Sequence, residues 1–362
     1  MRRFLMAALA LAPLAACAPT VVPAGPATRV AGIEPFTPPP LPWRLRVTTA
    51  WGPPPPEPQP SGPRPEEALV MRDGARLPLR VWRPEEPPRF VVLALHGLGD
   101  HGGNFMQDGA PLLNAGGALV YAYDQRGFGW APHRGFWAGA ATLRDDALEA
   151  IRLLRARHPD LPLWLLGESM GAAVAILAGT APEPPEVAGY LLSAPAIWGR
   201  ARMPALFRGT LWGVERTVPA VGLVAGAGGI AASDNQEALR RFGNDPLTLR
   251  VLRVDMATGV VDLMDAALAA LPACCRNPRG PAPTMVFVGA RDRVVPAHVQ
   301  RRVYRELPGL RVAQYPEGWH LLLRDRIRDQ VARDMLAFIA DPAAPLPAEV
   351  AARRWLSERE GP

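Results

Sequence analysis

The stretch 161–180, Leu-Pro-Leu-Trp-Leu-Leu-Gly-Glu-Ser-Met-Gly-Ala-Ala-Val-Ala-Ile-Leu-Ala-Gly-Thr, constrains what this chain can fold into more than any other. Its apolar run 163–166 is the length of a buried strand, and the alanine-rich run after Gly171 favours a helix. Between them stands Gly167-Glu168-Ser169-Met170-Gly171. A strand that turns this sharply into a helix lifts Ser169 above the end of a sheet, and the two glycines let neighbouring backbone pass closely. With 34 glycines in the chain, G-x-S-x-G arises easily by chance. The strand before it and the helix after it therefore carry the argument that Ser169 is a nucleophile.

Arg2 and Arg3, followed by the apolar run 4–14, have the form of a secretory signal too short to span a bilayer. Leu14-Ala15-Ala16-Cys17 then resembles a bacterial lipobox. Residues 1–16 are expected to be removed as a lipoprotein signal peptide and Cys17 to be acylated, with an anchor stronger than a single chain gives. Ala18 stands where an aspartate marks inner-membrane retention, which favours an outer-membrane address facing the periplasm. Only Cys274 and Cys275 then remain, and adjacent cysteines supply neither a disulfide framework nor a zinc site. Residues 17–65 are thick with proline, including Pro38-Pro39-Pro40 and Pro53-Pro54-Pro55-Pro56, and read as an extended tether that carries Trp43 and Trp51.

All 40 basic residues are arginine, and the absence of lysine removes whole chemistries. There is no Schiff-base lysine, no Ser-Lys pair and no phosphate-binding lysine of the Walker type. The formal net charge of +6 is spread along the chain without a nucleic-acid reader motif, so it fits a solvated surface near anionic lipid. No cofactor and no metal is expected, and the oligomeric state stays open.

The alternation Leu77, Leu79, Val81 after Arg72-Asp73-Gly74-Ala75 reads as a hairpin over 68–82. Apolar strands are expected at 90–95, 118–123, 163–166, 187–193, 284–288 and 312–315. Helices are expected at 142–157, 172–180, 297–306 and 324–339, and such alternation implies a mostly parallel sheet covered on both faces. On His96-Gly97, Asp124 with Arg126-Gly127-Phe128-Gly129, the Gly-Glu-Ser-Met-Gly elbow, Asn244-Asp245-Pro246-Leu247 and the run 289–296, the chain resembles the α/β-hydrolases of the monoacylglycerol lipase, lysophospholipase and serine-aminopeptidase-like group. The resemblance covers roughly 68–339. It implies a hydrolase domain at 66–340 with a helical cap insertion at about 197–280, leaving 341–362 as a C-terminal tail.

Chain order in that fold is Ser, then acid, then His. His96, His101, His133 and His158 precede Ser169, and His298 follows Asp292, the acid that the resemblance implies, too closely. His320 remains, in a loop after the last strand. Asp292 follows the strand 284–288, where the family places its acid. Its rivals Asp255, Asp262 and Asp265 fall in the helical insert. Arg291 and Arg293 are expected to keep Asp292 ionised. The resemblance implies an oxyanion hole from the backbone N–H groups of Leu98 and Met170. In the cap, Pro204 starts and Pro219 ends a helix with Phe207, Leu211, Val214 and Val218 on one face, and with Trp198, Trp212 and the glycine-rich run 222–229 it reads as an apolar lid. This favours a serine ester hydrolase acting on monoacylglycerol or lysophospholipid. Two alternatives are open: an aminopeptidase whose free-amine pocket uses Glu183, Glu186 or Glu215, and a non-catalytic lipoprotein that binds lipid or a partner.

Overall fold

The structure, a computed structural model, describes residues 19–41, 59–224 and 230–358. The signal peptide, Cys17, Trp43 and Trp51 lie outside the described residues. In chain order the strands are β1 (Gly32–Pro35), β2 (Glu67–Val70), β3 (Arg76–Trp82), β4 (Phe90–Leu95), β5 (Ala118–Tyr123), β6 (Leu163–Glu168) and β7 (Gly189–Ser193). Two small ribbons follow, β8 (Gly222–Val224) with β9 (Val251–Arg253) and β10 (Arg276–Asn277) with β11 (Gly280–Pro281), before β12 (Thr284–Gly289) and β13 (Arg311–Tyr315). The main sheet runs β1-β2-β3-β5-β4-β6-β7-β12-β13. From β5 to β13 all neighbours are parallel, and β1, β2 and β3 form an antiparallel edge.

Period-two alternation sorts each central strand onto two faces. In β4, Val91, Leu93 and Leu95 join one core while Phe90, Val92 and Ala94 join the other. The first core packs under helices Ala140–Arg157, Met170–Gly179 and Val254–Ala270, and the second under Gly109–Ala115 and Arg328–Ala340. Both faces are covered, so the parallel strands read as unbroken apolar runs.

Two expected boundaries are corrected. Residues 341–362 are not simply a tail: helix Pro347–Ser357 buries Ala348, Ala352 and Trp355, and its Glu349 pairs with Arg311 of β13 at 2.7 Å. Nor is the proline-rich segment a free spacer over 19–41. Its β1 pairs antiparallel with β2, and backbone N–H groups of Thr28 and Arg29 donate to Arg72 O. Proline denies a segment its own core, but the remaining N–H groups still find acceptors on a finished domain. The helix expected at 324–339 begins at Arg328, and the turns this frees hold the site.

Candidate active site

β6 ends at Glu168 and helix Met170–Gly179 begins two residues later, leaving Ser169 alone in the turn at φ 54°. That conformation is costly for a residue with a Cβ and persists only where its surroundings enforce it. Here they do: Ser169 N–H donates to Ser193 O of β7 at 2.9 Å, and Ser169 O accepts from Ala173 and Ala196, both at 3.1 Å. Gly171 is required as well, since a Cβ there would lie 2.0 Å from Leu95 O. The N–H groups of Leu98 and Met170 have no hydrogen-bond partner among the described residues, and Met170 is the first residue of the helix, whose positive end faces the serine.

His320 and Asp292 meet across the loops after β13 and β12, with Nδ1 2.8 Å from Asp292 Oδ2. The carboxylate also accepts from Val294 N–H (2.8 Å), Val295 N–H (3.0 Å) and Gln300 Nε2 (2.9 Å). The expectation for the flanking arginines is not met: Arg291 pairs with Glu317 and Arg293 lies over Trp319. Backbone donors and the Gln300 amide, not those cations, hold Asp292. Burial acts to lower the imidazole pKa, but Asp292 beside it and Glu168 beyond outweigh burial and raise it. His96 is buried and neutral, its Nε2 accepting from Gln125 N–H and its Nδ1 donating to Gly97 O, which suits a loop support. Asp124 pairs with Arg80, and Arg126 is clamped between Asp73 and Asp146. Asp245 accepts from Ser61 and Leu247 N–H, and Asp255, Asp262 and Asp265 are engaged by Arg253 and Arg200.

A buried triplet was not foreseen. Arg324, 1% exposed, reaches Asp100 at 2.6 Å and also pairs with Glu168, the residue before the serine. Burial pushes the Glu168 carboxyl up even with Arg324 beside it. The one sequence signal for it is a charge closing the apolar run Leu321-Leu322-Leu323.

Ser169, His320, Glu168 and Arg324 line one cavity of about 560 Å³. Leu98, Leu239, Phe242, Leu249, Leu252 and Val294 supply its apolar walls. The expected cap residues are corrected here. Helix Ala205–Thr217 forms as predicted, but Phe207, Leu211 and Trp212 are not in the lining; Phe207 is 50% and Trp212 61% exposed. The cover comes instead from β8, β9 and helix Gln236–Asn244. Residues 225–229 of the glycine-rich run lie outside the described residues. Glu183 and Glu186 line a different cavity, with Arg144, Arg152 and Arg155, and Glu215 sits on the outer helix beside Arg216.

The profile of the family described as serine aminopeptidase, S33, matches residues 86–327. The chain belongs to this family. This chain is similar to the monoacylglycerol lipase of Mycolicibacterium smegmatis, 27% identical over 288 residues that cover 77% of this chain and 98% of that one. The Homo sapiens monoglyceride lipase is also 27% identical, over 62% of this chain and 73% of its own. Among solved structures, a soluble variant of the Saccharomyces cerevisiae monoglyceride lipase superposes with TM-score 0.62 at 18% identity, covering 80% of this chain and all of its own. The Paleococcus ferrophilus monoacylglycerol lipase gives 0.58 at 24%, covering 74% and 99%. The sheet order and these superpositions make this family member an α/β-hydrolase fold.

Proposed function

We propose that this protein is a lipid-anchored serine hydrolase that cleaves the carboxylic ester of a single-chain lipid, a monoacylglycerol or a lysophospholipid. That it is an ester hydrolase follows from its family and its relatives. The finer reading rests on one observation: a serine in an elbow and a histidine bonded to an aspartate open into a largely apolar cavity of a size that suits one acyl chain. His320 takes the proton from Ser169, whose alkoxide attacks the acyl carbonyl. The tetrahedral oxyanion is met by the N–H groups of Leu98 and Met170, the alcohol leaves with the proton of His320, and water then clears the acyl-enzyme by the same steps in reverse. Asp292 holds the imidazole in the tautomer with its proton on Nδ1 and stabilises the imidazolium.

The aminopeptidase reading is the weaker. A free amine needs an acid open to it near the serine, and the two acids in the lining, Asp100 and Glu168, both already bond Arg324 and are buried. The proposed address is the bacterial cell envelope, through acylated Cys17, in the outer membrane facing the periplasm. The test compares wild type with Ser169→Ala on monoacylglycerols, lysophospholipids and amino-acid anilides. Fatty acid release that the variant loses supports the proposal. Amine release instead transfers the protein to the peptidase branch, and silence on all three with folded protein favours the binding lipoprotein.

A further inference from the structure

The described segment after Cys17 lies along the hydrolase body and meets the insertion at Thr20. Thr20 N–H donates to Asp255 Oδ2 at 3.1 Å, Val21 bridges Trp137, and Val22 N–H donates to Trp137 O at 2.8 Å. Farther on, Ala24 N–H reaches Thr142 and Gly25 N–H reaches Asp73. Asp255 opens helix Val254–Ala270 directly after β9, and its own N–H donates to Pro219 O just before β8. Three residues before it stands Leu252, a wall of the Ser169 cavity, which is at most about 10 Å of chain. The three residues from Cys17 to Thr20 likewise span no more than about 10 Å. Any acyl chains on Cys17 therefore start within about 10 Å of Thr20, not at the end of a long leash.

The β8–β9 ribbon is where the molecule is greasy on the outside. Nine of the twelve large apolar side chains that stand exposed among the described residues fall between Leu206 and Val251, and a tenth is Val21 of the strap itself. Val224 and Ile230 are both exposed and part of the cavity lining, so the apolar surface continues into the mouth. Arg250 stands exposed at the same mouth, and Arg216 covers Trp212 on the neighbouring helix, which places cations where anionic headgroups lie. We propose that residues 20–36 are an orienting strap: they carry the lipidated amino terminus to the cap so that the anchoring bilayer covers the β8–β9 ribbon and the cavity mouth opens into it. The occupant of the apolar surface is the bilayer that holds Cys17. The proposal rests on the acylation of Cys17 read above.

The experiment inserts about 20 Gly/Ser residues between Pro19 and Thr20 of the full lipoprotein, which frees the anchor to wander by roughly 25 Å. Both proteins are reconstituted in vesicles of phosphatidylethanolamine and phosphatidylglycerol containing a monoacylglycerol. The strap predicts a drop on the order of tenfold in hydrolysis of the vesicle-borne substrate. Hydrolysis of a water-soluble short-chain ester stays unchanged. It also predicts that vesicles slow amide exchange at 205–224 and 249–253 in wild type and less in the insertion variant. Equal vesicle rates, or cap protection indifferent to the insertion, would overturn the strap while leaving the hydrolase intact. Mass spectrometry of the amino terminus separates the other failure, since an unacylated Cys17 removes the anchor and with it the strap's purpose. Loss of Ser169-dependent release from the soluble ester would instead sink the hydrolase reading.

Discussion

The floor and the cover of the cavity are built on opposite terms. On the floor, His320, Asp292, Asp100, Glu168 and Arg324 are each 3% exposed or less, and every one of them is tied to another part of the chain. In the cover, β8 is exposed throughout and helix Gln236–Asn244 buries only Ala238. Outside it, helix Ala205–Thr217 buries none of its thirteen residues, and the side-chain hydroxyls of Thr210 and Thr217 bond back to their own helix. Chemistry needs groups held to a fraction of an ångström, which only a packed and fully bonded frame gives. Acceptance of a greasy substrate needs only area, and a thin cover with an apolar outside supplies it.

Substitutions on the two sides should therefore fail differently. The largest effect is expected from Asp292→Asn, which keeps the shape but loses the tautomer control, for a fall in kcat of roughly ten-thousand-fold. In wild type the acidic limb of kcat/KM should lie above the ordinary imidazole value of 6.5, because the base is active only when neutral and Asp292 with Glu168 raises its pKa. The variant's limb should move down, and a limb that stays put would detach Asp292 from the base. Next comes Arg324→Leu, which strands two buried carboxylates and should cost about 3–5 kcal/mol in denaturant unfolding. A loss no larger than a surface arginine gives would break the contrast between floor and cover.

Between floor and cover, Asp325 accepts from Ser233 Oγ at 2.5 Å and Trp319 N–H at 2.6 Å, while His320 and Leu321 N–H both donate to Ala232 O. Burial raises the Asp325 carboxyl from 3.8 to about 7. The folded protein thus holds a proton that the unfolded chain releases near 3.8, so this group's contribution to stability falls as pH rises from about 4 to about 7. Asp325→Asn should remove that slope, read as denaturant midpoints below, within and above the window. An unchanged slope would show that the seam titrates elsewhere.

On the cover, Phe242→Ala should raise KM for long-chain substrates about tenfold and leave kcat alone, since a wall that grips chain and transition state equally contributes only uniform binding. A matching fall in kcat would make Phe242 part of the floor. Smallest of all, Trp212→Ser should shift stability by no more than about 0.5 kcal/mol. It should leave soluble-ester hydrolysis unchanged and slow only the vesicle-borne reaction.

Much of the frame was legible because it is written locally. The elbow declares itself within five residues, and β4, β5 and β6 are apolar runs that only a doubly covered sheet accommodates. Chain order after the last two strands singled out Asp292 and His320, and the structure brings these two together. The cap misled because helical periodicity says which residues share a face but not which way that face points. Phe207 and Trp212 do lie on a patterned helix, yet they face outward. Proline content likewise said that the segment would build no core of its own, and said nothing of the strands and side chains that accept the N–H groups of 19–41.

The sequence by itself determined the fold class and the elbow that carries Ser169, because strand, turn and helix propensities are properties of neighbouring residues. Only the tertiary structure decided what surrounds the serine. Arg324 finds Asp100 across 224 positions and Glu168 across 156, Thr20 finds Asp255 across 235, and two of the donors to Asp292 are backbone groups without sequence signature. Such pairings are set by which loops the sheet order gathers at one edge, where burial makes each unmatched charge too costly to leave alone.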